Sequence, residues 1–230
     1  KASLKGCQFQ RRFARKLNKA MKTPKHRIAA FTSGIRGYWM LRLLLDPEYQ
    51  KELNFELVGV ATDDPTNQYA NAQKRGVWRY GYDPDFDPKV VPRIAARHAL
   101  DAYGGSLRTP EFVRRFQDEW KPDLCLVNVY GQILRPEIFE FPTHGSFNFH
   151  SSSGPTWPAF QGADPVTDMI KAGCTSMHLV MHHVAAEVDA GAMFKCSVDV
   201  PFPPNATVAD MHYMTAPLAV SLLRETLPTL

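Results

Sequence analysis

In Phe147-Asn148-Phe149-His150 the residue types alternate, so on a strand Asn148 and His150 point to one side while the two phenylalanines pack on the other. That places an amide beside an imidazole. Such a pair suits acyl transfer, because an amide N–H can bind a developing oxyanion and a histidine can shuttle a proton or donate to the same oxygen. A second candidate is the turn Thr32-Ser33-Gly34-Ile35-Arg36-Gly37, between an apolar run and a helical pattern. Backbone N–H groups at such a helix start can cradle an anion, and Ser33, Gly34 and Arg36 stand where a substrate lies in an open α/β sheet. The turn fits neither G-x-G-x-x-G nor G-x-x-x-x-G-K-[ST], so the dinucleotide and ATP fingerprints are absent. A third grouping, His178, His182, His183 and Asp189, has the residue types of a metal site. On a strand, however, His178 and His182 face one side and His183 the other, and no second cluster closes the set, so no metal is expected.

The elements that must position these residues follow from periodicity. RIAAFTSG, from Arg27, reads as a strand ending in a glycine turn, and Ile35, Tyr38, Trp39, Leu41, Leu43 and Leu45 carry helical spacing. A strand over Phe55–Asp64, a polar helix over Thr66–Arg75, a Pro- and Asp-rich loop over Tyr80–Pro92 and helices at Val90–Leu100 and Pro110–Trp120 come next. Pro122–Tyr130 is the most continuous apolar run, as expected of a central parallel strand. Gly145–His150 reads as a further strand, Thr175–Val184 and Glu187–Val200 as apolar segments flanking a turn, and Thr207–Leu227 as a closing helix with Met211, Met214, Leu218, Leu222 and Leu223 on one face. Alternating strands and helices predict a doubly wound, mostly parallel α/β sheet.

At 230 residues, 44% hydrophobic and 22% charged, the chain can bury one sizeable core, and disordered and fibrous classes are excluded. No apolar run approaches the roughly 18 residues that span a bilayer. Residues 1–27 hold ten Lys or Arg and no Asp or Glu, leaving 17 basic against 23 acidic residues in the body. A basic excess confined to one segment argues against nucleic acid as the body's partner. Within that segment Phe9, Phe13, Leu17 and Met21 are four apart, the stripe of an amphipathic helix that docks on the domain or on a second subunit in a homodimer, with a membrane-surface or nucleic-acid contact as the other readings. The expected division is therefore a basic N-terminal helical extension over 1–26 and a catalytic domain over 27–230. Cys7, Cys125, Cys174 and Cys196 are scattered with no C-x-x-C pair, and there is no signal-peptide pattern, so a reducing cytoplasm is the expected compartment.

Asn-x-His, a following Pro, aromatic and Gly loop, a Thr-led strand and an acidic Asp-x-Gly turn together resemble the folate-dependent formyltransferase family, from about Arg27 to Leu227. Val127–Phe139 (VNVYGQILRPEIF) is similar to the family's folate-loop segment, and Pro158-Ala159-Phe160-Gln161-Gly162 to its Leu-Pro-x-aromatic-x-Gly segment. The resemblance implies a Rossmann-like fold and a catalytic triad of Asn148, a protonated His150, and Asp189. It also implies a pocket for 10-formyltetrahydrofolate lined by Tyr130, Gly131, Gln132, Ile133, Leu134 and Val188. The link from His150 to Pro158 and the turn at Met181–Ala186 are longer than is usual in the family, the link to Thr175 is shorter, and the glycine turn lacks Gly-Ser-Asn. These departures concern the acceptor rather than the donor. With the chain ending at Leu230, neither the tRNA-gripping C-terminal domain of methionyl-tRNA formyltransferases nor the N-terminal domain of formyltetrahydrofolate hydrolases is expected. The outline is similar to hydroxyornithine formyltransferases of siderophore biosynthesis and then to sugar N-formyltransferases, which implies a small amine or hydroxylamine acceptor. Hydrolysis of the donor on the same triad and a binding module that kept only the fold are the alternatives.

Overall fold

The computed structural model describes residues 26–63, 66–75, 87 and 89–229. The basic amphipathic segment and most of the Tyr80–Pro92 loop lie outside the described residues. In chain order the elements are β1 (His26–Thr32), α1 (Gly34–Leu44), α2 (Pro47–Glu52), β2 (Phe55–Ala61), α3 (Val90–Arg97) and β3 (Ala102–Tyr103). Then come α4 (Pro110–Arg114), continuing as a π-helix over Arg115–Trp120, β4 (Leu124–Asn128), α5 (Pro136–Phe139) and β5 (Ser146–Ser152). The chain finishes with α6 (Pro165–Lys171), β6 (Ser176–His183), β7 (Met193–Cys196), β8 (Val200–Pro201) and α7 (Val208–Thr226).

One sheet runs β3-β2-β1-β4-β5-β6-β7, with β8 paired to β6. From β3 to β5 the strands are parallel, and β6 and β7 are antiparallel. The cause is visible in β1 and β4. Ile28, Ala30, Leu124 and Leu126 join one core, while Ala29, Phe31, Cys125 and Val127 join the other. A strand apolar on both faces has to be covered on both, which parallel strands with crossover helices achieve. On the first face α1, α3 and α7 bring Met40, Leu41, Leu44, Val91, Leu222 and Leu223, each at most 2% exposed. Full burial of side chains of this size contributes about 1.5–3 kcal/mol each. The second face is closed by Phe112, Phe116, Trp120 and Ile138. Gly59 is required there, since a Cβ would stand 2.1 Å from the Trp120 indole.

Three expectations are corrected. Only 72–75 of the predicted 66–75 helix is helical. Asn67 and Asn71 use their side-chain oxygens to cap Tyr69 N at 2.9 Å and Gln73 N at 2.9 Å, which competes with a continuous helix. The second strand stops at Ala61 instead of Asp64, because the Asp63 N–H bonds to the Ser33 hydroxyl at 3.1 Å. On α7, Met211, Leu222 and Leu223 are buried as expected, but Met214 is 39% exposed and Thr215 takes the inward place. Thr207 caps this helix through a reciprocal capping box with Asp210.

Candidate active site

Phe147 and Phe149 face the α1/α7 core, which turns Asn148 and His150 to the other side at the carboxyl end of the sheet. There they form the wall of a cleft with His182, Val188 and Asp189. Asp189 has a left-handed backbone, φ 51, a conformation that aspartate tolerates better than most residues. It sits at the centre of the polar network. Its Oδ1 accepts from Asn148 Nδ2 at 3.1 Å, and its Oδ2 accepts from the Gly162 N–H at 2.9 Å. The same Oδ2 lies 3.5 Å from His150 Nδ1, and Oδ1 lies 3.7 Å from His182 Nε2. Burial pushes the Asp189 carboxyl up, but the hydrogen-bond donors around it, the Gly162 N–H among them, outweigh it and hold it below the usual range. Gln161 Nε2 donates to the carbonyls of Val188 and Asp189, tying the Pro158–Gly162 loop to the acidic turn.

His150 differs from its expected state. Its Nε2 donates to the Phe160 carbonyl at 2.8 Å, so Nδ1 is the nitrogen that faces Asp189. Burial pushes this imidazole down to about 4, more than Asp189 and the Phe160 carbonyl pull it up. At neutral pH His150 is therefore uncharged, and the expectation of a protonated His150 is corrected. A neutral Nδ1 beside a carboxylate forms a place to lodge an arriving proton between two acceptors.

All six expected donor-pocket residues, Tyr130, Gly131, Gln132, Ile133, Leu134 and Val188, line the cleft, with Val127 and Val129 behind them. Val129 is left-handed at φ 55, an outlier for a β-branched residue, and such strain clusters at functional turns. Asp63 holds this loop by accepting from Gly131 N at 3.3 Å, while its other oxygen accepts from Ser33 Oγ at 3.1 Å. That accounts for Ser33, which is 1% exposed. Neither Ser33 nor Gly34 is among the residues lining the cleft, and Ser33 supports the loop beneath it through Asp63. Arg36 does line it, donating to Ser151 Oγ at 3.0 Å.

Two site residues, Lys74 and Trp157, escaped the sequence, and His182, weighed there only as a metal ligand, belongs to the site as well. Lys74 reaches the cleft from the shortened 72–75 turn, donating to the Ala163 carbonyl at 2.9 Å. Burial and then repulsion from Arg36 push its ammonium down to about 8. His182 enters as the cross-strand partner of Asn148. Trp157 lays its ring 4.7 Å from that of His182 and 5.7 Å from that of His150, fixed by its N–H on the Gly191 carbonyl at 2.9 Å. The alternation of β6 put His178 and His182 on one side, which was the available signal for His182. In the fold His178 bonds Asp199 at 3.0 Å, away from the triad. Among the described residues a different set, His26, Asp123 and His144, brings ligand atoms within 4.8 Å of one another. It lies at the opposite end of the strands, where Asp123 already accepts the Arg27 N–H at 2.8 Å.

The sequence profile described as Formyl transferase matches residues 27–227. The chain is 34% identical to methionyl-tRNA formyltransferase of Myxococcus xanthus over 122 residues, 53% of this chain and 38% of that one. It is 32% identical to the Methylococcus capsulatus methionyl-tRNA formyltransferase over 147 residues, 62% of this chain and 45% of the other. The matches span less than half the length of these curated relatives. Glycinamide ribonucleotide transformylase 1 from Symbiobacterium toebii superposes with a TM-score of 0.66 at 18% identity, covering 90% of this chain and 87% of that one. A formyltetrahydrofolate deformylase from Pseudomonas syringae has a TM-score of 0.59 at 19% identity, covering 86% and 61%. At these identities the structures speak for the fold alone. No helix among the described residues is long and apolar enough to cross a membrane.

Proposed function

The chain belongs to the formyl transferase family, and from that premise we propose that it moves a formyl group from 10-formyltetrahydrofolate to the amine or hydroxylamine of a small acceptor. The observation that carries this reading is the meeting of Asn148, His150 and Asp189 in one cleft, an oxyanion donor beside a proton-accepting pair. The apolar wall of Val127, Val129, Ile133, Leu134 and Val188 fits a flat ring system.

As the acceptor nitrogen bonds to the formyl carbon, Asn148 donates to the carbonyl oxygen that becomes negative. His150 Nδ1 and Asp189 Oδ2 take the proton that the nitrogen loses, directly or through a water. The same pair returns it to the nitrogen of the donor as the old carbon–nitrogen bond breaks. Protons and electron pairs balance with no further reactant. Tyr130, Gly131, Gln132 and Leu134 would hold the donor, while Arg36 and Lys74 place two cations on the cleft wall and favour an acceptor with an anionic group, of the hydroxyornithine or amino-sugar-nucleotide type.

Purified protein given the formyl donor with ornithine-type hydroxylamines, amino-sugar nucleotides, glycinamide ribonucleotide or water alone tests the reading. Donor consumption that requires one of the anionic small acceptors supports it. Consumption in water at the same rate makes the protein a hydrolase, and no consumption under any condition makes it a binding module.

A further inference from the structure

We propose that His182 is a positioning residue of this site: it accepts one Asn148 Nδ2 hydrogen and anchors the amide, so that the second can pass from Asp189 to the developing oxyanion without the side chain turning. The inference rests on the formyl-transfer reading. His182 Nδ1 lies 2.8 Å from the carbonyl of His183, which can only accept, so Nδ1 carries the ring proton. Nε2 is left as an acceptor, and it lies 3.1 Å from Asn148 Nδ2. A carboxylate oxygen of Asp189 lies 3.1 Å from that same nitrogen. Two acceptors held by different elements therefore dictate the same orientation of the amide, with the amino end toward them and both its hydrogens engaged.

The consequence is that Asn148 has no hydrogen to offer the oxyanion until one contact is given up. Asp189 is the contact that can yield, since the reaction brings a proton to it. His182 cannot yield as easily. It is 2% exposed, its ring packs at a tilt of 40° against Trp157, and its register opposite Asn148 is fixed by the β5–β6 ladder. A proton on its Nε2 would face the Asn148 amino group and break the arrangement, so the proton-free form is the one that fits.

The experiment compares His182→Met, which keeps bulk without the acceptor, with His182→Gln, whose amide oxygen can replace it. The two are read by kcat and KM, and the wild type by nitrogen-15 NMR. A displaced oxyanion donor costs about 10- to 100-fold. The expected result is a kcat loss of that size in His182→Met with donor KM unchanged, substantial recovery in His182→Gln, and a coupling through the hydrogen bond between Asn148 Nδ2 and a proton-free His182 Nε2. Near-native kcat in His182→Met, equal losses in the two variants, or a proton on Nε2 would overturn it. Should wild-type protein neither transfer nor hydrolyse the formyl group, the functional reading fails while the NMR measurement still decides the role of His182. Should His182→Met not fold, His182→Gln and the wild-type coupling decide it.

Discussion

The Asn148 amide and the Asp189 carboxylate meet at 3.1 Å across 41 residues of chain, one on a strand and the other on a left-handed turn. Nothing local brings them together. The antiparallel strand β6 returns the chain alongside β5, and the Gln161 and Gly162 contacts clamp the acidic turn down onto it. Replacing either partner removes an interaction made chiefly as the oxyanion forms, and the loss of one such donor costs roughly 100- to 1000-fold. Asn148→Ala, His150→Ala and Asp189→Asn should each lower turnover by about that factor, with donor affinity much less affected. The His150→Ala, Asp189→Asn double variant should lose far less than the product, because the two act as a unit. Turnover per folded molecule checks this, and two near-native variants among the three would refute the assignment.

The buried, uncharged His150 makes stability depend on pH with a definite sign. Its folded value of about 4 lies below the ordinary 6.5, so the unfolded chain binds the proton more readily. The contribution is complete above pH 6.5 and is lost as pH falls toward 4. At pH 4.5 this one group should destabilise the fold by about 2 kcal/mol relative to pH 7. Urea unfolding of wild type and His150→Gln at both values is the check. His212, also buried and held low by burial, loses stability in the same direction, so the variant should remove part of the pH dependence and leave the rest.

Gly191 has a different kind of necessity. A Cβ built there would stand 1.8 Å from the His183 carbonyl oxygen and 3.5 Å from His182 Nδ1. That carbonyl is the acceptor fixing the His182 ring. Gly191→Ala should push the β6 end away, costing about 1–3 kcal/mol of stability and, through His182, a larger share of turnover than of donor binding. A variant with native melting temperature and native kcat would show that the hairpin has slack this packing does not suggest.

Much of this was legible in the sequence because it depends on alternation. Four consecutive buried residues of β4, Leu124 to Val127, came from an unbroken apolar run, and the side shared by Asn148 and His150 followed from two phenylalanines between and before them. What could not be read depends on register and burial. A shift of one residue between β5 and β6 would point His182 away from Asn148, and no local pattern fixes that pairing. Ser33 looked like a substrate ligand because its partner, Asp63, comes from a segment distant in sequence, just past the end of β2. His150 looked charged because its carboxylate neighbour is evident from the motif, whereas desolvation is a property of the assembled cleft. Lys74 was hidden inside a polar segment with no apolar stripe to show which side faces the cleft.

Lys74 supplies the sharpest test of the acceptor. Pushed down to about 8, its ammonium is charged at pH 7 and loses its proton as pH rises through that value, the reverse of the acid effect at His150. If Lys74 and Arg36 receive the anionic group of the acceptor, the acceptor KM should climb between pH 7 and 9 while the donor KM stays level. Hydrogen bonds to charged groups are worth about 1.5–3 kcal/mol, so Lys74→Met should raise the acceptor KM roughly 10- to 100-fold and flatten that rise. Lys74→Arg, charged throughout, should keep affinity at pH 9 if the longer fork fits beside Arg36. An acceptor KM unchanged in Lys74→Met would detach this residue from the acceptor.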